Sequence, residues 1–309
     1  MKILSDLENR ILIRELSLVT QRNGSAVYQG YSLSQEKVFI KIAKNSAANE
    51  RYFEILEALT KFPLTPNVLN KFEWEDSSVV VMTAIEGIQA DQVLQSCTQV
   101  QKRSLFYDIG LTLGKLHHFI PQTNLFNMKC WKNRDGFESH SALWNKQLDL
   151  MILKWISRIN LLSSDYHQFS YQVDELRQYD TALCEPSQFT LLHCDYIGRN
   201  ILVSNDNRIS GIIDFEAARI GDPIYDLAKI VWVNMDFSEL ELRNAFLDGW
   251  EYTYKQAVPK RKFLYYVGIQ CIAAISWTDT NRSFDGTDTT FRSSAIRTLK
   301  IVLNELNSL

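Results

Sequence analysis

Glycine and proline are scarce in this 309-residue chain, at 12 and 6 residues. Long flexible linkers are therefore not expected. The five cysteines, Cys97, Cys130, Cys184, Cys194 and Cys271, are odd in number and scattered, with no CxxC pair. That argues against a disulfide framework or a zinc site and fits a reducing compartment. No stretch approaches the ~20 apolar residues a membrane span needs. The opening MKILSDLENR lacks the sustained apolar run of a secretory signal. A net charge of −3 gives no general attraction to nucleic acid or to an anionic membrane. The expectation is a cytoplasmic protein, monomer or homodimer, with no nucleic-acid or membrane partner.

What is present is an ordinary globular composition, 46% hydrophobic and 22% charged, in a chain long enough for two lobes. The first part reads as strands. ILIRELSLV leads through the turn in TQRNGSAVYQGY to KVFIKIA, whose apolar residues alternate around Lys41. NERYFEILEAL then switches to helical spacing, with Phe53, Leu56 and Leu59 on one face, and SSVVVMTAIEG reads as a short buried strand. From QKRSLFYDIGLTLGKLHHF onward helical spacing prevails, interrupted by two short strands, NILVS and ISGIID, joined by the turn NDNR. The organisation expected is a small strand-rich unit over residues 1–84 and a larger, mainly helical one over 85–309.

The polar residues inside LLHCDYIGRNILVS need an explanation, because burying a carboxylate beside an amide is costly unless something compensates. Asp195 and Asn200 flank a tight loop feeding the strand ILVS, and Asp214 ends its partner ISGIID. If the two strands form a hairpin, antiparallel pairing brings Asn200 and Asp214 to the same end. Two oxygen ligands beside a further carboxylate suit Mg²⁺ carrying a phosphate substrate, with Asp195 placed to accept a hydroxyl proton. Taken singly, each residue has a plainer reading: a strand-end cap, an Asx turn or, for His193, a satisfied buried histidine. The combination H-x-D-x-x-x-x-N, strand, turn, strand ending in Asp is far more specific.

HCDYIGRN resembles the catalytic loop of kinase-fold enzymes. IIDFEAARIGDPIYDLA resembles the second motif of the aminoglycoside phosphotransferase and choline kinase-like family of small-molecule kinases, through Asp214, Glu216, Ala218, Gly221, Asp222, Pro223, Asp226, Leu227 and Ala228. Cys194 stands where that family usually has glycine. The resemblance implies an α+β, protein-kinase-like two-lobe fold, with a small antiparallel-sheet N-lobe and a larger helical C-lobe. It implies ATP and Mg²⁺ as cofactors and a small-molecule hydroxyl as acceptor. Asp195 would be the base, Asn200 and Asp214 would hold Mg²⁺, and His193 and Asp226 would brace the loop. Lys41, interrupting an apolar strand, would hold the nucleotide phosphates, with Glu50 as its helical partner and Glu54 as a rival. Gly24 and Ser25 would cover the phosphates from a turn that lacks G-x-G-x-x-G, and the main chain of Thr83 and Ile85 would meet the adenine.

Alternatives come from other classes. A protein kinase needs a long activation segment before A-P-E, whereas Asp214 here runs almost directly into PIYDLA. A non-catalytic nucleotide-binding protein of the same fold would have no need of Lys41, Asp195, Asn200 and Asp214 together. A metallohydrolase built on His193, Asp195 and Asp214 finds no further histidine, because His117 and His118 sit in a core-like helix. For the acceptor, Asp236, Glu239, Glu251 and Asp279 would serve a cationic molecule. Trp232, Trp250, Tyr254 and Trp277 would stack on a sugar or enclose a cation. Helical spacing makes ordinary core and solvated faces the plainer reading of both groups.

Overall fold

In the strand around Lys41 the residues alternate between two cores. Val38 and Ile40 pack with Val79, Val81 and Ile13 on one side of the sheet, while Phe39, with Val80 and Met82 of a neighbouring strand, faces the main core on the other. This is the period-2 arrangement of a pleated strand. The computed structural model describes residues 12–22, 24–44, 47–129, 140–159, 166–179, 186–281 and 289–309. Its five-stranded antiparallel sheet holds β1 (Arg14–Arg22), β2 (Ser25–Tyr31), β3 (Lys37–Lys44), β4 (Val68–Trp74) and β5 (Ser77–Thr83), in the order β1-β2-β3-β5-β4. The β2–β3 and β3–β5 pairs run without bulges, placing Lys41 opposite Val27 on one side and Val80 on the other. Helix α1 (Ala47–Ala58) covers one face with Tyr52, Ile55, Leu56 and the following Leu59.

Residues 84–87 then lead into β6 (Ile88–Gln89), α2 (Ala90–Ser96) and α3 (Gln99–Phe119). A capping box starts α3: the Thr98 hydroxyl accepts from the Gln101 N–H, and the Gln101 side chain accepts from the Thr98 N–H. The C-terminal lobe continues with α4 (His140–Ile156), α5 (Tyr166–Arg177), β7 (Thr190–Leu192), β8 (Ile201–Val203), β9 (Ile209–Ile212) and β10 (Arg219–Gly221). It closes with α6 (Ile224–Val233), α7 (Leu240–Tyr254), α8 (Lys260–Asn281) and α9 (Thr289–Asn307). Strands β6, β8 and β9 form a small sheet, and β10 pairs with β7. Helix α8 is buried over most of its circumference, as befits the centre of a bundle. The result is a protein-kinase-like fold: an antiparallel-sheet N-terminal lobe on a helical C-terminal lobe. Among the described residues no helix is long and apolar enough to cross a membrane.

Helices α3 and α7 approach each other closely. A Cβ at Gly110 would lie 1.9 Å from the Phe246 carbonyl oxygen, and one at Gly249 would lie 2.1 Å from that of Tyr107. Glycine on both helices lets the backbones touch, and this seats Trp250 against His117, beneath the loop of residues 193–200.

Candidate active site

The β8–β9 hairpin expected from sequence forms, with Ile201 opposite Ile212. The Ile213 N–H donates to the Asn200 carbonyl at 2.9 Å, so Asn200 and Asp214 emerge at the same end. Asn200 also turns back on its own loop. Its Nδ2 donates to the Asp195 carbonyl at 2.9 Å and to Asp195 Oδ2 at 3.0 Å. The five-residue spacing thus closes a ring of hydrogen bonds, leaving Asn200 Oδ1 with no protein partner among the described residues. Asp214 opens into the recess between the lobes in a left-handed conformation, φ 68° and ψ 62°, a strained backbone of the kind found at functional positions. Burial first, and then Glu216, raise its pKa above the ordinary carboxylate value.

Asp195 is surrounded by cations. Its Oδ1 accepts from Lys229 Nζ at 2.5 Å and its Oδ2 from Arg199 Nη2 at 3.0 Å. Burial pushes its pKa up, but Lys229 and then Arg199 outweigh this and hold it below the ordinary value.

The loop is braced from beneath by Asp226, as its motif position implies. One carboxylate oxygen accepts from the His193 N–H at 2.6 Å and the other from the Cys194 N–H at 2.7 Å. His117 Nε2 donates to the same carboxylate at 3.2 Å, and Trp250 Nε1 donates to His117 Nδ1 at 3.0 Å. The core-like helix of the sequence therefore reaches the site through His117. His193 is fully buried. Its Nε2 donates to the Ile213 carbonyl at 2.9 Å and its Nδ1 accepts from the Asp195 N–H at 3.2 Å, which fixes the neutral tautomer. Burial lowers its pKa below the ordinary imidazole value.

A pH effect follows. The unfolded chain takes up this proton near ~6.5, the folded chain only at lower pH, so stability is lost as pH falls below that point. Urea midpoints between pH 7.5 and 5.5 are expected to fall more steeply for the parent protein than for His193→Gln. Parallel slopes would refute it.

Lys41 corrects one expectation. It does not meet Glu50 or Glu54. Its ammonium is ion-paired with Glu216 and lies 4.0 Å from the Tyr52 ring centroid. The reason is helical phase: burying Tyr52, Ile55, Leu56 and Leu59 turns Tyr52 toward the lysine and leaves Glu50, two residues earlier, exposed on the far side of α1. Glu54 instead accepts from the Lys129 N–H. A cation–π contact is worth ~0.5–2 kcal/mol, so Tyr52→Leu is expected to weaken nucleotide binding roughly two- to thirty-fold, with Tyr52→Phe near the parent. Calorimetric titration with MgADP checks this, and equal affinities in all three would remove Tyr52 from the site.

Gly24, Ser25, Lys41, Thr83, Ile85, Asn200 and Asp214 all line a cleft of about 1650 Å³ between the lobes. Asp195 is not on its wall but is bonded to Asn200 and Arg199, which are. Gly24 takes φ 81° in the β1–β2 turn. Thr83 pairs with Asn67, and Ala84 donates to the Lys37 carbonyl, as the chain leaves β5.

The suggested acceptor residues mostly serve the fold. Asp236 pairs with Arg297 at 2.9 Å and Asp279 with Arg292 at 2.8 Å. Glu239 accepts from the Asp236 N–H at 3.1 Å and Glu251 from the Val258 N–H at 2.6 Å. Trp232, Trp250 and Tyr254 are buried, while Trp277 stays 47% exposed.

The profile of the phosphotransferase enzyme family matches residues 30–264. The chain belongs to this family. A comparison with curated protein sequences finds no match. Among solved structures, the phosphotransferase fold is shared with a thermostable mutant of aminoglycoside phosphotransferase APH(4)-Ia in complex with ADP and hygromycin B, at 15% identity, 98% coverage of both chains and TM-score 0.66. It is shared with choline kinase LicA from Streptococcus pneumoniae, at 17% identity, 97% and 98% coverage and TM-score 0.64. It is shared too with an ethanolamine kinase from Plasmodium vivax, at 16% identity, 95% and 84% coverage and TM-score 0.62.

The donor set of this family member fits a hard dication. Asn200 offers an unspent amide oxygen and Asp214 an exposed carboxylate. Among the described residues no three His, Cys, Asp or Glu side chains converge on one point. One amide and one carboxylate leave the other positions of an octahedral ion to phosphate and water, the usual way Mg²⁺ is held.

Proposed function

We propose that this family member is an ATP-dependent phosphotransferase acting on a hydroxyl group of a small molecule. The observation that carries the reading is the hydrogen-bonded ring of Asp195 and Asn200, closed onto Ile213 and so onto Asp214, at one end of a cleft that also holds Lys41. Val27, Met82 and Leu202 give part of the cleft an apolar wall suited to a flat base, with the main chain of Thr83 and Ile85 alongside. Lys41, with Gly24 and Ser25 on the same cleft wall, would hold the phosphates. Asn200 and Asp214 would hold Mg²⁺, which when bound neutralises charge on the phosphates.

In the transfer, the acceptor oxygen bonds to the γ-phosphorus and the bond from that phosphorus to the ADP oxygen breaks, the electron pair leaving with ADP. The acceptor proton passes to Asp195. A carboxylate flanked by two cations is a weak base. Its main work is to orient the hydroxyl and to take the proton late, as a loose phosphoryl transition state permits. A protein-kinase reading finds little room, because only residues 215–223 separate Asp214 from α6.

The test is calorimetric MgATP binding together with ADP release across a panel of hydroxyl acceptors, with Asp195→Ala as control. Turnover absent from the control supports the proposal. Failure to bind MgATP would overturn it in favour of a non-catalytic member of the fold.

A further inference from the structure

We infer that the acceptor carries an anionic group, a carboxylate or a phosphate, held by Lys229 and Arg219 beside the catalytic loop. The inference rests on the phosphotransferase reading above and specifies its substrate class.

Two cations flank the residues Cys194 and Asp195. Lys229, on α6, spends one of its three N–H groups on Asp195, and its side chain remains 25% exposed. Arg219, on β10, is half-buried and has five N–H groups. Its partners are sulfur atoms: Met151 Sδ, 2.7 Å from Nη1, and the Cys194 thiol. Among the described residues no carboxylate lies within 4.0 Å of it.

Sulfur is a poor acceptor for a guanidinium, which ordinarily seeks carboxylate or phosphate oxygens. The Cys194 thiol supplies no charge either, because burial pushes its pKa up to about 12 despite Arg219 and Lys229 nearby. Asp226 is engaged by the loop N–H groups and His117, and the acidic side chains suggested for a cationic acceptor are tied to partners within the fold. Lys229, Arg199 and Arg219 thus stand beside the carboxylates of Asp195 and Asp226, three positive charges against two, so the balance beside the base is positive. A like charge next to the reacting hydroxyl would be repelled and an anion compensated. In the transfer step written above, the group is a handle only and takes no part in bond making.

The experiment uses the full chain with MgATP and follows ADP release with hydroxy acids, sugar phosphates, neutral polyols and sugars, and cationic acceptors such as ethanolamine, choline and aminoglycosides. The first two classes separate a carboxylate handle from a phosphate one. In parallel, calorimetry measures binding of D-glycerate and of glucose 6-phosphate to the protein filled with a non-hydrolysable MgATP analogue. An anionic class is expected to give the highest kcat/KM. Lys229→Met is expected to raise its KM or Kd roughly ten- to a hundred-fold, about the worth of one charge-assisted hydrogen bond. Lys229→Arg should restore most of it, and Arg219→Met should show the same direction if it folds.

MgATP binding with turnover only on neutral or cationic acceptors would overturn the inference while leaving the phosphotransferase reading intact. So would MgATP binding with neither turnover nor anion binding that Lys229→Met weakens. Loss of MgATP binding in the parent protein would remove the phosphotransferase reading itself, and this inference with it.

Discussion

Asp195→Asn is expected to lower kcat by on the order of 10²–10⁴-fold while leaving MgATP affinity unchanged. The substitution is isosteric and keeps an oxygen for Lys229, so the loop should survive. What it removes is the second acceptor. Asp195 Oδ2 takes hydrogen bonds from both Arg199 and Asn200, and an amide NH₂ in that place faces two donors with no lone pair. The nucleotide side is held by the main chain, because Asn200 Nδ2 also donates to the Asp195 carbonyl, which the substitution leaves in place. Steady-state ADP release with the acceptor found above, together with calorimetric MgATP titration, makes the comparison. Retention of most of the turnover would remove Asp195 from the chemistry. A parallel loss of MgATP binding would mean that its role is structural.

Asp226→Ala is expected to cost about 3–5 kcal/mol of folding stability, because three buried donors lose their acceptor at roughly 1–3 kcal/mol each. The substitution leaves two buried backbone N–H groups, those of His193 and Cys194, and the His117 Nε2–H without an acceptor. Each unsatisfied buried group carries a desolvation penalty of its own. The carboxylate is 2% exposed, so water does not readily replace it. Urea unfolding of the two proteins measures the difference. A loss under about 1 kcal/mol, the net worth of one ordinary hydrogen bond, would show that the loop is held by its other contacts. Those are Asn234 Oδ1 on the Gly198 N–H at 2.8 Å and the Tyr196 hydroxyl on the Ile109 carbonyl at 2.9 Å.

Much of this arrangement is readable in the sequence, for identifiable reasons. The hairpin bearing Asn200 and Asp214 is legible because NDNR marks a turn between two apolar strands, and a short turn allows little choice of register. The long helices are legible from their spacing. Strand β4 is harder to see: Leu69, Asn70 and Lys71 are all exposed on a sheet edge, so no apolar alternation marks it. Helix α5 is polar over much of its length and its signal is weak for the same reason.

Lys41 meets Tyr52 and Glu216, not either glutamate of α1. Helical phase carries the signal, since Tyr52 falls in phase with Leu56 and Leu59, while Glu50 does not. Lys229 and Arg219 could not be linked to the loop from sequence, since their closeness depends on β10 pairing with β7 and on the direction in which α6 leaves it. Helical spacing buries His117, but burial alone does not show that it carries a hydrogen bond to Asp226.

The glycine contact between α3 and α7 bears on how the protein is made. A growing chain completes α3 early and the catalytic loop later, but α7 emerges only after both. At ~5–20 residues per second many seconds pass in which the groove at Gly110 is open and His117 has no Trp250 to donate to it. The loop leaves the ribosome before its foundation exists. Assembly of the candidate site is thus a late event of synthesis, and a ribosome stalled before Tyr254 would display a chain with every cleft residue made and the brace beneath them unfinished.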